Sequence, residues 1–135
     1  MKQVDVVALI VQKDGRILVE RRKSDEETDP GKVVIPGGHV ERGERPEQAC
    51  KRELKEELGL DCDRFVSVAR LLHHTCLEDQ MTHFHSCEGW RGEPQCFEAE
   101  EIFWIGPDQI NMLEIDIDRK VAREFFKRSA SGKEP

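Results

Sequence analysis

The sequence predicts a mixed α/β domain, because apolar runs of strand length occur before, between and after two segments with helical periodicity. A length of 135 residues fits one domain. The hydrophobic fraction is 37% and the charged fraction is 36%, values typical of a small core under a heavily solvated surface. We therefore expect a single domain over residues 1–130 and a frayed tail at 131–135.

The first predicted element is a strand over residues 4–12. It is apolar on both faces from Val6 to Val11, as expected of a strand that is covered on two sides. Asp14-Gly15 predicts a tight hairpin turn, and the returning strand runs from Ile17 to Arg21. A charged loop, a short apolar run and a Pro-Gly-Gly segment follow, at residues 22–32, 33–35 and 36–38.

The next element is a helix from about Arg45 or Pro46 to Leu58. Proline suits the first turn of a helix, and Gly59 suits the C-terminal stop. Arg45 offers no side-chain acceptor to the first helical N–H groups, which predicts a weaker helix start. Two strands, a loop, a third strand and a last helix follow, at residues 62–76, 81–90, 91–98, 101–105 and 117–129.

Charge, hydropathy and cysteine content limit the classes of function. A net charge of −7 argues against a protein that binds duplex nucleic acid through basic contacts. The longest apolar run is too short to cross a bilayer, and the N-terminal residues lack the pattern of a signal peptide. Five cysteines without a CxxC pair favour reduced thiols in a cytoplasmic protein over a disulfide framework.

Three carboxylates share one sector of the predicted helix, at Glu53, Glu56 and Glu57. They lie beside an apolar stripe through Leu54 and Leu58 that can face a core. Like charges at this spacing destabilise an exposed helix by about 0.2–0.5 kcal/mol per pair. A bound divalent cation would reverse that effect, and carboxylate oxygens are ligands that Mg²⁺ and Mn²⁺ prefer. An isolated ExxEE is more often a solvated helix face, so the surrounding residues decide the interpretation.

Those surroundings match a known motif, the Nudix box, at nine positions in residue type and spacing. The nine are Gly38, Glu44, Arg52, Glu53, Leu54, Glu56, Glu57, Gly59 and Leu60. The chain therefore resembles the Nudix hydrolase family, both in this box (residues 38–60) and in the order of strands and helices over about residues 4–128. The resemblance implies an α/β/α sandwich with a mixed sheet between helices. It also implies hydrolysis of a nucleoside diphosphate linked to a moiety X. Arg45 departs from the family pattern, in which Ser or Thr often follows the glutamate.

The resemblance also implies roles for individual residues. The metal ligands would be Glu53, Glu56, Glu57 and the Gly38 carbonyl. Glu53 would also activate the attacking water, Arg52 would orient Glu53, and Glu44 would fix the loop against the helix. The implied cofactor is Mg²⁺, with Mn²⁺ as a substitute.

Residues after the box resemble MutT-type nucleoside triphosphate pyrophosphohydrolases, in the stretch 90–94 and at Glu98 and Trp104. In those enzymes a loop glutamate supplies a further metal ligand or base. Glu98 occupies the matching place, with Glu100 and Glu101 as close rivals. Arg22 resembles an arginine that contacts phosphates in MutT-type members, although a plain surface charge at a strand end is an equally good interpretation.

The leading hypothesis is an enzyme that converts a nucleoside triphosphate, normal or oxidised, to a nucleoside monophosphate and pyrophosphate. One alternative is a Nudix hydrolase of ADP-ribose, another nucleotide sugar or a dinucleotide. The other is a nucleotide-binding module without catalysis, which an intact box disfavours. The expected partner is a small-molecule nucleotide, with neither duplex nucleic acid nor membrane, for a monomer or a homodimer.

Six histidines and cysteines raise a competing zinc hypothesis, at residues 73, 74, 76, 83, 85 and 87. A turn around Glu78-Asp79 would place His74 opposite His83 and Cys76 near Met81. The spacing matches no closed structural zinc pattern. We therefore favour ordinary sheet packing or a polar lining of the substrate cleft.

Overall fold

The computed structural model describes residues 1–130, so the predicted tail at 131–135 lies outside the described residues. The strands are β1 (Gln3–Ile10), β2 (Gln12–Lys13), β3 (Arg16–Arg21), β4 (Val33–Val34), β5 (Gly37–His39), β6 (Arg64–His74), β7 (Asp79–Glu88) and β8 (Glu101–Ile105). The helices are α1 (Pro46–Leu58), a 3₁₀ helix (Pro107–Met112) and α2 (Asp116–Ala130). Neither α-helix of this range is long and apolar enough to cross a bilayer.

The strands form two four-stranded sheets. The first has the order β5-β1-β7-β6, in which β1 and β7 are parallel and the other neighbours are antiparallel. In the second, β3 pairs with β2, β4 and β8, all antiparallel. The mixed sheet agrees with the predicted fold class, whereas the sequence did not indicate that β3 belongs to a separate sheet.

Strand β1 is apolar on both faces because each face packs under a different helix. Ala8 and Ile10 belong to the α2-side core, which we define as the buried cluster that includes Phe125 of α2. Val7 and Leu9 alternate with them and belong to the α1-side core, the cluster around Leu54 and Leu58. Burial of each of the larger side chains, Val7, Leu9 and Ile10, stabilises the fold by about 1.5–3 kcal/mol. The prediction of a first strand covered on two sides is confirmed.

Helix α1 begins and ends as predicted. Gly59 follows it in the left-handed conformation (φ 67°), and the Gly59 N–H donates to the Lys55 carbonyl oxygen at 3.0 Å. At the start, the Arg45 side chain makes no capping hydrogen bond. Gln48 compensates in part, because its Oε1 accepts a 2.8 Å hydrogen bond from the Arg45 N–H.

The prediction about the turn between the two long strands was wrong. The turn between β6 and β7 occupies residues 75–78, so His74 pairs with Asp79 instead of His83. The cause is the Thr75 hydroxyl, which accepts a hydrogen bond from the Glu78 N–H at 3.0 Å and fixes the turn two residues earlier than predicted. The Pro-Gly-Gly segment follows the short strand β4, and its glycines begin β5 at the edge of the first sheet.

Candidate active site

The close contact between β5 and α1 positions the first carboxylate. Glu53 lies on α1 and is only 9% exposed. It is buried beside the apolar residues Cys50 and Leu54, although it carries a charge. A Cβ added at Gly38 would overlap the Glu53 carboxyl group. Glycine at position 38 therefore lets the β5 backbone lie against the Glu53 carboxyl group without displacing it.

Arg52 connects the loop before α1 to this carboxylate. Its Nε and Nη2 donate to the two Glu44 carboxylate oxygens at 2.8 and 2.9 Å, a bidentate geometry. Nη2 also donates to the His39 carbonyl oxygen at 2.9 Å, and Nη1 donates to Glu53 Oε1 at 2.6 Å. The hydrogen bond from Arg52 lowers the pKa of Glu44. The arrangement supports the roles predicted for Glu44 and Arg52, which are to fix the loop and to orient Glu53.

Glu56 takes part in the same arrangement from the exposed side. Its Oε2 lies 3.1 Å from Arg52 Nη1, and about half of its side chain is exposed. Among residues 1–130, no three His, Cys, Asp or Glu side chains already enclose a metal-binding point. The predicted ligands Glu53, Glu56 and Glu57 thus lie on adjacent turns without converging, and binding a cation in common requires Glu56 to turn away from Arg52.

Glu57 contributes an orphaned carboxylate oxygen. Its Oε2 is buried and has no hydrogen-bond partner. Burial raises the pKa of Glu57 well above its usual value, and neighbouring carboxylates raise it further. A buried, unpaired acceptor costs free energy that a bound cation would offset. Because the available ligand atoms are carboxylate oxygens, the site fits a divalent cation such as Mg²⁺.

Glu20 is a member of this acidic cluster that sequence analysis missed. It lies near the end of β3, is 4% exposed, and burial raises its pKa to about 7. Its sequence signal was weak, because a charged residue at the end of a strand is normally solvated. The period-two alternation of β3 was the only available indication, since it places Glu20 on the same face as the buried Leu18.

The loop before β8 favours Glu98 over its two rivals. The loop lies against the end of α1, where the Phe97 N–H donates to the Glu57 carbonyl oxygen at 3.3 Å. The Glu98 charge contributes to the raised pKa values of both Glu53 and Glu57. Glu101 instead accepts a 3.2 Å hydrogen bond from Arg21 on the surface. Glu100 is also exposed, and its backbone N–H donates a hydrogen bond to the Arg21 carbonyl oxygen.

A cavity of about 110 Å³ reaches Gly38, whose backbone lies against Glu53. It lies between the first sheet, the 22–32 loop and α2, and its lining includes Arg22, Gly38, His73, Thr82, Ile117 and Asp118. Arg22 is held at the cavity by hydrogen bonds to the carbonyl oxygen and hydroxyl of Thr28, at 2.9 and 3.3 Å. The predicted phosphate contact therefore has a pocket beside it, which the sequence did not reveal.

The histidines divide between different surroundings. His73 lines the cavity and forms a 2.8 Å hydrogen bond with Asp29, which also lines it. His83 and His85 line a different depression beside the start of α1. His74 is exposed and bonds Asp79 at 2.7 Å. Within residues 1–130 no zinc-like cluster forms. Of the histidines in the zinc hypothesis, His73 lines the cavity, which His39 also lines.

Asp118 is the most deeply buried carboxylate of the cavity wall. Its Oδ2 accepts a 2.9 Å hydrogen bond from the Ile35 N–H, and burial raises its pKa to about 7. The sequence did not reveal it, because the helical pattern of α2 was identified from its apolar residues alone. It ties the first turn of α2 to the strand that leads into the Pro-Gly-Gly segment.

We expect the stability of Asp118→Asn to depend less on pH than that of the parent. The pKa of Asp118 is about 7 in the fold and 3.8 in the unfolded chain, so the unfolded chain loses its proton first. The parent therefore loses stability as pH rises from about 4 to about 7, by on the order of 4 kcal/mol. Asparagine keeps an acceptor for the Ile35 N–H and does not titrate. Urea unfolding of both proteins at pH 5 and pH 8 measures the difference. Equal pH dependence in the two proteins would contradict the expectation.

Comparisons with known proteins agree with this geometry. The NUDIX domain family matches residues 1–128. The CTP pyrophosphohydrolase of Escherichia coli K12 is 32% identical over 111 residues, which cover 81% of this chain and 80% of that protein. The 8-oxo-dGTP diphosphatase of the same strain is 33% identical over 106 residues, which cover 78% and 81%. A crystal structure of a MutT NUDIX hydrolase from Burkholderia pseudomallei superposes with a TM-score of 0.80 at 26% identity, over 90% of this chain and 97% of that one.

Proposed function

The chain belongs to the NUDIX domain family and is a hydrolase of phosphoanhydride bonds, and from this premise we propose that its substrate is a nucleoside triphosphate, normal or oxidised. The products are a nucleoside monophosphate and pyrophosphate. Two relatives that share about a third of their residues with this chain are named for nucleoside triphosphate substrates, which supports the proposal.

The observation that carries the proposal is the position of the cavity. It adjoins Gly38 and Arg22 and so lies next to the carboxylate helix. Its volume of about 110 Å³ is well below the roughly 300–1,000 Å³ of a pocket that encloses a whole drug-sized ligand. It therefore suits one base, while the phosphates extend past Arg22 toward α1. A dinucleotide would leave its second nucleoside outside.

In the proposed mechanism, Glu53 accepts the proton of the attacking water. Arg52 holds Glu53 Oε1 at 2.6 Å, and Glu44 in turn holds Arg52, so the base is fixed before the substrate binds. Glu53, Glu56, Glu57 and the Gly38 carbonyl are the proposed cation ligands, with Glu98 as an additional carboxylate from the loop. When bound, Mg²⁺, or Mn²⁺ in its place, would neutralise phosphate charge and make the attacking water more acidic.

The proposal extends to the setting of the enzyme. We assign residues 1–130 to one catalytic domain that works in the cytoplasm on a small-molecule nucleotide, as a monomer or a homodimer. The net charge of −7 supports a substrate bound through a cation and a few local arginines, instead of duplex nucleic acid or an anionic membrane.

A substrate panel tests the proposal. With Mg²⁺, we expect nucleoside triphosphates to yield monophosphate and pyrophosphate in equal amounts, as quantified by chromatography and a pyrophosphate assay. Removal of the cation with a chelator is expected to abolish turnover, and added Mg²⁺ or Mn²⁺ to restore it. Preferred cleavage of ADP-ribose would overturn the substrate assignment. Tight nucleotide binding with no product for any substrate would indicate a binding module.

A further inference from the structure

Strand β3 brings a carboxylate to α1 from the second sheet. Leu18 and Glu20 are two residues apart and therefore lie on the same face of the strand. Leu18 packs in the α1-side core with Leu54 and Leu58. Glu20 thus faces α1. Glu57 lies on that helix between Leu54 and Leu58, about one turn after Leu54 and next to Leu58.

The Glu20 carboxylate has no direct partner among the described residues. Glu20 is 4% exposed, and within residues 1–130 its side chain forms no hydrogen bond or ion pair. Glu57 Oε2 is the side-chain oxygen of this range that is fully buried and has no hydrogen-bond partner. Arg22 follows Glu20 by two residues, but its guanidinium hydrogen-bonds Thr28 and lies 3.7 Å from Glu26.

Glu20 and Glu57 lie on facing sides of the contact between β3 and α1. The strand face that carries Leu18 and Glu20 packs against the helix stripe of Leu54 and Leu58, beside which Glu57 lies. The volume between the end of β3 and α1 therefore holds the largely buried Glu20 carboxylate and the buried Glu57 Oε2.

The arginines next to these carboxylates in the sequence already have other partners, such as Glu26 for Arg22. Arg52 is already engaged by Glu44, Glu53 and Glu56. One shared proton would neutralise a single carboxylate, whereas a divalent cation neutralises two and accepts oxygen ligands from both.

We propose that Glu20 is a further cation ligand, which together with Glu57 holds a divalent cation between β3 and α1. This inference rests on the metal dependence in the proposed function and adds a ligand from outside the Nudix box. Because β3 belongs to the second sheet, the bound cation connects that sheet to the helix that carries the base.

Manganese binding to Glu20→Gln tests the inference without reference to turnover. Free Mn²⁺ is counted by electron paramagnetic resonance while the metal-free protein is titrated. We expect Glu20→Gln to bind Mn²⁺ at least tenfold more weakly than the parent, or to bind one ion fewer. The control is Glu124→Gln, which removes the same charge from an exposed position on α2 and should bind as the parent does. Unchanged stoichiometry and affinity in Glu20→Gln would overturn the inference.

A second measurement covers the case in which glutamine at position 20 prevents folding. The parent is labelled with ¹³C at the glutamate carboxyl carbons and titrated with Mg²⁺. The Glu20 resonance is expected to shift together with that of Glu57, and a Glu20 resonance that stays fixed while Glu57 shifts overturns the inference. If the parent hydrolyses no nucleotide yet both experiments show binding at Glu20, the proposed function fails and this inference stands.

Discussion

Glu53→Gln and Glu57→Gln are each expected to lower kcat by at least about 100-fold while the fold stays intact. Glutamine keeps the shape of the side chain but cannot accept the proton of water at position 53. At position 57 it removes the charge that would bind the cation. Burial raises the pKa of both carboxyl groups, so the charged form is costly in the metal-free fold. We therefore expect the metal-free variants to unfold at the same or a higher temperature than the parent.

Steady-state kinetics at saturating Mg²⁺ and thermal unfolding without metal check both parts of this prediction. The matched control is Glu47→Gln, an exposed position in the first turn of the same helix, which should retain parental kcat. Parental turnover by both Glu53→Gln and Glu57→Gln would show that the assignment of base and ligands is incorrect.

Alanine at Gly37 and at Gly38 should have opposite consequences for stability and activity. A Cβ at Gly37 would overlap the Val7 carbonyl group, which belongs to the backbone of β1 and cannot move without breaking strand pairing. A Cβ at Gly38 would overlap only the Glu53 carboxyl group, which can rotate away. Gly37→Ala is therefore expected to cost about 3 kcal/mol or more in stability. Gly38→Ala should lose most of its turnover but little stability, because the proposed base is displaced.

Urea unfolding and kcat measured side by side distinguish the two variants. Each serves as the control of the other, since the same methyl group is added at adjacent positions of β5. If Gly38→Ala kept the parental kcat, the proposed role of the contact between β5 and Glu53 would be wrong. If Gly37→Ala were as stable as the parent, β5 would pair with β1 differently from the observed register.

The parts of the fold that sequence predicted are those set by neighbouring residues. Helix α1 was predicted to within a residue, because Pro46 and Gly59 fix its ends locally. The hairpin at Asp14-Gly15 was also predicted, and both residues have positive φ as the turn requires. The register of β6 against β7 was not predicted correctly, because one hydroxyl, that of Thr75, decides where the turn closes.

In the candidate site, too, sequence predicted the local contacts and missed those between elements distant in sequence. Arg52 and Glu44 pair across a short loop, so their contact could be anticipated from the box alone. Glu20 and Asp118 come from elements distant in sequence and are buried only when the two sheets and α2 assemble. A charge that packing buries looks, in the sequence, the same as a charge in water. The cavity is likewise a property of the assembled layers.

The parallel pairing of β1 with β7 affects how the chain folds as it leaves the ribosome. β1 is synthesised first, yet its partner begins only at Asp79, and the edge strand β5 alone cannot cover it. The hairpin of β2 and β3 closes early, because its strands are adjacent in the chain. The apolar strand β1 therefore stays exposed to solvent until β7, which begins at Asp79, has been translated. Chaperone binding during synthesis is expected to concentrate on residues 6–11, which makes this segment the main aggregation risk in overexpression.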